Sequence, residues 1–434
     1  MPATHLETSG AALDADAVAR LLAAEPERVP GLGEMMNFPG VLAGDGQVLA
    51  KLAAARGRLV DGHAPGLEGA ALSAYVAAGP DSDHESTTIR EALGKLRRGM
   101  HLMLREGSAE HNLLELLPVI NEFNAQNCSL VTDDRHPDEL LRLGHLDHAV
   151  RLAMGAGVAP VRAVQMASIN TARRFGLAGR GAVAPGWRAD FVLLDDLESF
   201  AISGCWLGGR PVDELDFASS VPLPGNTMRL GRPLAPELFA IPAAGRRARA
   251  IGVVPGQIVT RALEADVPAR GGLAQADPGR DLAKLAVVER HAATGNVGLG
   301  FVQGLGLARG AVASSVAHDS HNIVAAGMDD ADLALAARAV AEAGGGLAAA
   351  LDGRVLALLP LPVAGLMSDR GADEVVAGLE ALRAATRGLL RPGHDADPFM
   401  ILSFLALPVI PALKLTDRGL VDVERFAHVP LFVE

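Results

Sequence analysis

Arg58-Leu-Val-Asp-Gly-His63 reads as a short strand that runs into a loop and ends on a side chain able to bind metal. Leu102-Met-Leu-Arg-Glu-Gly107 and Ser129-Leu-Val-Thr-Asp-Asp134 repeat that pattern. Between such runs, Thr88–Arg98, His111–Phe123 and Pro137–Met154 carry apolar residues at helical spacing. Strands alternating with helices argue for a parallel α/β architecture. The polar strand ends Glu34, His63, His84, Glu106 and Asp133 lie 29, 21, 22 and 27 residues apart, each interval about one strand–loop–helix unit. In a (β/α)₈ barrel the ends of successive strands face one mouth, where the chemistry occurs. Five units are legible where a barrel needs eight, and only 33 residues precede Glu34. The expectation is an α/β fold with a (β/α)₈ barrel that lacks its first strands, spanning 1–178.

The composition changes beyond that point. Gly181-Ala-Val-Ala-Pro-Gly-Trp-Arg-Ala-Asp-Phe-Val-Leu-Leu-Asp-Asp196 is a turn followed by a β run, and Ala201–Val212 gives two short strands around Gly208-Gly209. A small β unit is expected over 179–220. The Pro-rich stretch from Val221 to Pro242 predicts a linker, 221–245, and 246–434 is long enough for a separate α/β or α+β domain. Its clearest helical segment is Ala331–Leu351, interrupted by Gly344-Gly345-Gly346.

The chain is 49% hydrophobic and 21% charged, which supplies ample material for buried cores and excludes disorder on a large scale. With a net charge of -12 and only Lys51, Lys95, Lys284 and Lys414 as lysines, it lacks the basic stripe that a nucleic-acid backbone requires. Cys128 and Cys205 form neither a disulfide framework nor a CxxC site, which fits a reducing, cytoplasmic compartment. The N-terminus has no signal-peptide pattern. The apolar stretch from Pro398 to Leu415 is cut by Pro408 and Pro411, so no membrane partner is expected.

Glu34, His63, His84 and Asp133 are the constellation with the clearest chemistry. Carboxylates and neutral imidazoles are the usual ligands of a borderline divalent metal, and such a metal makes water a nucleophile near neutral pH. Any one of these residues alone would read as a cap or loop residue; four at successive strand ends read as a site.

The strings around them resemble a known family. Leu32-Gly-Glu-Met-Met-Asn-Phe-Pro-Gly40, Asp61-Gly-His-Ala-Pro-Gly66, Ser82-Asp-His-Glu85, Arg105-Glu-Gly-Ser108 and Thr132-Asp-Asp-Arg-His136 closely resemble the barrel of the bacterial-type adenine deaminases, in the amidohydrolase superfamily. Gln165-Met-Ala-Ser-Ile-Asn170, Gly181-Ala-Val-Ala-Pro-Gly186, His318-Asp-Ser-His-Asn322 and Gly365-Leu-Met-Ser-Asp369 extend the resemblance over nearly the whole chain. It implies hydrolytic deamination of adenine to hypoxanthine and ammonia by a metal-activated hydroxide, at a binuclear manganese site, with iron or zinc as the other options. Glu34 would bridge the two metals, with His63 and His84 as further ligands. Asp133, taken ahead of the adjacent Asp134, would bind metal and shuttle the proton. Glu85, Arg105, Glu106 and Ser108 face the same mouth and could hold the purine, or could equally be strand-end salt bridges and caps. A homodimer is the possible assembly, as the commonest outcome for soluble oligomers.

One departure stands out. Amidohydrolases carry a His-x-His pair on the first barrel strand, and this chain has no His-x-His. The family's sequences extend well upstream of Met1-Pro-Ala-Thr-His-Leu-Glu-Thr-Ser-Gly10, which looks like an internal segment. The missing pair therefore matches the missing strands, and the 434-residue chain alone is expected to be poorly stable or inactive. Two rival readings stay open: another amidohydrolase, acting on a cyclic amide or a different base, and a non-catalytic remnant of the fold. The cysteine-ligated nucleobase deaminases are excluded, because no Pro-Cys-x-x-Cys occurs. His318-Asp-Ser-His321 is a second local cluster, read as a hydrogen-bonded structural loop.

Overall fold

The computed structural model describes residues 3–108, 110–217, 222–225, 227–395 and 397–433. Met1 and Pro2, and Val221 and Asn226 of the expected linker, lie outside the described residues. The chain divides into two compact units, Leu13–Val221 and Met1–Ala12 with Pro222–Glu434.

In the first unit, five strands follow one another: β1 (Gly31–Met35), β2 (Leu59–Gly62), β3 (Ser82–Asp83), β4 (His101–Arg105) and β5 (Cys128–Val131). β1 pairs with β2 in parallel, and β3, β4 and β5 form a parallel set. The two sets are stitched by the Asp81 amide, which donates to the Val60 carbonyl at 3.1 Å, and by the Gly62 amide, which donates to Ser82 Oγ at 3.1 Å. Gly62 permits that approach, since a Cβ there would lie 2.1 Å from the Ser82 carbonyl oxygen. All five strands therefore run the same way, and the residues that follow them collect at one end, as the strand-end spacing predicts. Leu102, Leu104, Cys128 and Leu130 are buried with Ala149, Ala153, Ala163 and Met166 of the following helices.

The intervening helices are shorter than their periodicity suggests. The segment expected as a helix over Thr88–Arg98 is helical at Ile89–Leu96, with the Thr88 side chain as N-cap. His111–Phe123 yields only Leu113–Leu116 and a 3₁₀ turn, Leu117–Val119, because Pro118 cannot continue the hydrogen-bond ladder. Pro137–Met154 breaks into Pro137–Leu143 and Leu146–Gly155 at Gly144, whose φ of 96° ends the first piece. The β run near Phe191 is a three-stranded antiparallel sheet, Phe191–Leu194, Ile202–Leu207 and Arg210–Pro211, with Gly208 and Gly209 in the last turn.

The second unit is built on a largely antiparallel sheet, nine-stranded among the described residues. Its central strands, Leu282–Val288 and Ile323–Gly327, are buried throughout. Alternation divides their side chains. Leu285 and Val287 pack with Leu379, Leu382, Phe399 and Leu402, whereas Ala286 and Val288 pack with Leu333, Ala336, Ala337 and Val340. Helices thus cover both faces, and the small alanines let Asp330–Glu342 lie close to the sheet. The expected helix Ala331–Leu351 ends at Glu342; Gly344, Gly345 and Gly346 all have positive φ, and Gly346–Leu351 is a strand. In the stretch 221–245 expected as a linker, Leu234, Phe239 and Ile241 are buried in core clusters, an anchoring that proline content does not reveal.

Candidate metal centre

Glu34 lies in β1, His63 follows β2, His84 and Glu85 follow β3, and Asp133 follows β5. Their polar atoms converge. His84 Nε2 lies 3.2 Å from Glu34 Oε2, 3.4 Å from Glu85 Oε1 and 4.0 Å from Asp133 Oδ2. His63 Nδ1 lies 3.4 Å from Glu34 Oε1 and 3.6 Å from Glu85 Oε1, and the two imidazoles meet edge to face with centroids 5.4 Å apart. Two overlapping triads, Glu34–His63–His84 and His84–Glu85–Asp133, each hold ligand atoms within 4.8 Å of one another. Asp133 is a member and Asp134 is not. Asp133 adopts a φ of 54°, a left-handed turn that a short polar side chain tolerates, at the point where the chain leaves the strand.

Arg105, from the end of β4, lies beneath these groups with its side chain 2% exposed. Its guanidinium donates to both carboxylate oxygens of Glu85, and to Asp133 Oδ2 at 2.8 Å. Burial would raise the Glu85 carboxyl, but the neighbouring His63 and Arg105 charges hold it below the usual range. For His63, burial favours the neutral ring, yet the Glu85 and Glu34 carboxylates outweigh it and lift the imidazole to about 9. Glu34, Glu85 and Asp133 bring three carboxylates to the cluster and Arg105 one guanidinium, so acidic groups outnumber basic ones there, an excess that protons on the imidazoles or a divalent cation would offset. Both ring nitrogens of His63 are buried without a hydrogen-bond partner. Buried polar atoms are almost always satisfied, so two orphaned imidazole nitrogens among carboxylate oxygens fit a cation coordinated by nitrogen and oxygen donors.

The four residues considered for purine contact divide into two pairs. Glu85 and Arg105 join the cluster. The Glu106 carboxylate is taken by His111 Nδ1 at 2.8 Å, and Ser108 Oγ donates to Glu139 at 2.6 Å while accepting from the His136 amide at 2.8 Å. The sequence reading missed the residues that hold the cluster. Tyr75 accepts from the His63 amide at 3.0 Å and donates to the Met35 carbonyl at 2.8 Å, fixing the backbone beside two of the ligand candidates. Asp83 and Lys95 form a fully buried ion pair of 2.8 Å next to His84. The available signals were Lys95 as one of four lysines, and its i,i+4 spacing from Glu91. His318 and His321 belong to the second unit; His318 stacks on Phe404, and neither enters a metal-capable group among the described residues.

Parallel strands that deliver histidines and carboxylates to one end define a hydrolase of the amidohydrolase class, and the amidohydrolase family model matches residues 9–212. That family is generally metal-dependent. The adenine deaminase C-terminal domain model matches residues 257–427. The chain is 58% identical over its whole length to an adenine deaminase of Oleidesulfovibrio alaskensis, and 50% identical over 99% of its length to adenine deaminase 2 of Carboxydothermus hydrogenoformans, spanning 76% of each. The chain belongs to the adenine deaminase family. Among solved structures, N-acetyl-D-glucosamine-6-phosphate deacetylase of Mycobacterium smegmatis is 20% identical at a TM-score of 0.35, the match covering 46% of this chain and 59% of that one.

Proposed function

We propose that this chain carries the chemistry of adenine deamination: adenine and water give hypoxanthine and ammonia. The convergence of Glu34, His63, His84 and Asp133, with both His63 nitrogens orphaned, is the observation that carries the reading. Adenine as the substrate rests on the relatives named above.

Glu34, His63 and His84 would hold the cation, with Asp133 beside them at the same end of the strands. Manganese, iron and zinc all suit a donor set of imidazole and carboxylate without thiolate; manganese is our choice. A cation held there would supply Lewis acidity toward water. Asp133, with its side chain 36% exposed, is the carboxylate placed to take a proton from water and pass it to the departing amine. Arg105 fixes Glu85 and Asp133 through its guanidinium hydrogen bonds without entering the chemistry itself. Glu85 closes the floor of the cluster between both imidazoles. The free thiols Cys128 and Cys205 fit a cytoplasmic enzyme, and no helix among the described residues is long and apolar enough to cross a membrane.

The test is ammonia release from adenine with added Mn²⁺, measured on this chain and on a form extended upstream to include a His-x-His pair. Adenine-dependent ammonia that disappears on chelation is expected from the extended form. No ammonia from adenine by either form would overturn the assignment.

A further inference from the structure

We infer that Lys95 is a positioning residue that sets the two histidine-bearing loops, and through them the affinity of the cluster for a divalent cation. The inference rests on the metal reading above.

Lys95 lies in the last turn of the helix Ile89–Leu96, is fully buried, and touches none of the ligand candidates. Its ammonium has three protons and three acceptors: Asp83 Oδ2, Glu91 Oε1 and the Ala64 carbonyl, each at 2.8 Å. Every one of these acceptors belongs to the framework of a histidine loop. Ala64 follows His63, and its amide donates to Asp83 Oδ1 at 3.0 Å. Asp83 precedes His84, and its other oxygen accepts from the Glu85 amide at 3.1 Å, the Ser86 amide at 3.0 Å and Ser86 Oγ at 2.9 Å. Glu91 reaches further along both loops, accepting from the Gly66 amide at 2.8 Å and the Thr87 amide at 3.0 Å.

The loop after β2 and the loop after β3 are thus tied to a single buried cation by backbone groups flanking His63 and His84. A hydrophobic filler would occupy the space but could not join Asp83, Glu91 and Ala64 at one point. Outer residues of this kind commonly tune metal affinity by about 10–100-fold, because they fix the orientation of the ligands. The planar, five-donor guanidinium of arginine does not match three acceptors converging on one point, so Lys95→Arg should fail to restore the site.

The experiment titrates the full chain with Mn²⁺ and follows the free-ion paramagnetic resonance signal, with the folded fraction monitored by near-ultraviolet circular dichroism. Lys95→Met is expected to raise the Mn²⁺ dissociation constant of the folded molecules by about 10–100-fold. Glu91→Gln, which keeps the Lys95–Asp83–Ala64 link but puts an amide against the Thr87 amide, is expected to raise it by less; it decides the matter if Lys95→Met does not fold. A lowered melting temperature with an unchanged dissociation constant in the folded variants would make Lys95 merely structural and overturn this inference alone. No Mn²⁺ uptake by the unaltered chain would overturn the metal reading together with it.

Discussion

The two units bury charge in opposite ways. In the first, buried charge gathers at the strand ends: Asp83 and Arg105 are the last residues of β3 and β4, His63 and Glu85 follow β2 and β3, and Lys95 lies in the helix behind them. In the second, buried cations are scattered, and each ends on its own structural partner. Lys414 donates to the Ile258 carbonyl at 2.8 Å and the Phe404 carbonyl at 3.0 Å, Lys284 pairs with Asp330 at 2.6 Å, and Arg290 reaches Thr227 Oγ1 at 3.0 Å and the Ala364 carbonyl at 3.2 Å. Burial of charge alone is therefore no mark of a site. The first unit differs because its charges share neighbours, carry an excess of one sign and leave both nitrogens of an imidazole unsatisfied.

That contrast can be broken by substitution. The largest effect is expected for Asp133→Asn, which should lower kcat for ammonia release from adenine by about 10²–10⁴-fold in the metal-loaded, upstream-extended form, with little change in melting temperature. An equal loss from a substitution at Lys284 or Lys414 would erase the distinction between the two kinds of buried charge. Leu285→Ala, in the core of the second unit, should cost about 2–5 kcal/mol in denaturant unfolding while leaving Mn²⁺ uptake unchanged. A fall in Mn²⁺ affinity instead would show that the sheet core also sets the metal cluster.

A finer test uses pH. Glu7, in the second unit, is almost wholly buried, and burial raises its carboxyl to about 8 despite amide bonds from Thr4 and Ala3. The folded protein therefore keeps a proton that the unfolded chain, near the ordinary value of 4.5, gives up. Glu7's contribution to stability is fullest below about 4.5 and is lost as pH rises through about 8. Denaturant midpoints at pH 5 and pH 8 should show that decline, and Glu7→Gln should flatten it. The smallest effect is expected at the surface pair Arg90–Glu68, where Arg90 is 84% exposed at its side chain; Arg90→Ala should change stability by less than about 1 kcal/mol, as denaturant unfolding will show.

The outline of the first unit was legible because its strands are short and each ends in a polar residue, so spacing alone brought Glu34, His63, His84 and Asp133 to one end. Motif resemblance then supplied the chemistry. Helix lengths were less legible, since apolar periodicity over His111–Phe123 and Pro137–Met154 continues past Pro118 and Gly144, which the backbone does not. The apolar run after Gly346 was read as a continuation of the helix, since a short apolar run fits either state by periodicity; pairing with Ala311–Ser314 and Arg354–Pro360 makes it a strand. Glu85 was read from its place at the barrel mouth as a purine contact or, equally, a strand-end salt bridge or cap; its burial between both imidazoles depends on β3 ending at Asp83. Asp83, Glu91 and Lys95 were not legible as a unit, because their meeting depends on a helix folding back beneath two loops.

Metal uptake by the cluster tests the central claim most directly. Mn²⁺ titration of the unaltered chain and of His84→Asn, followed by the free-ion resonance signal, should show uptake by the first and a loss of at least about 10-fold in affinity in the second, since His84 belongs to both triads. Equal uptake by the two proteins, or none by either, would contradict the account.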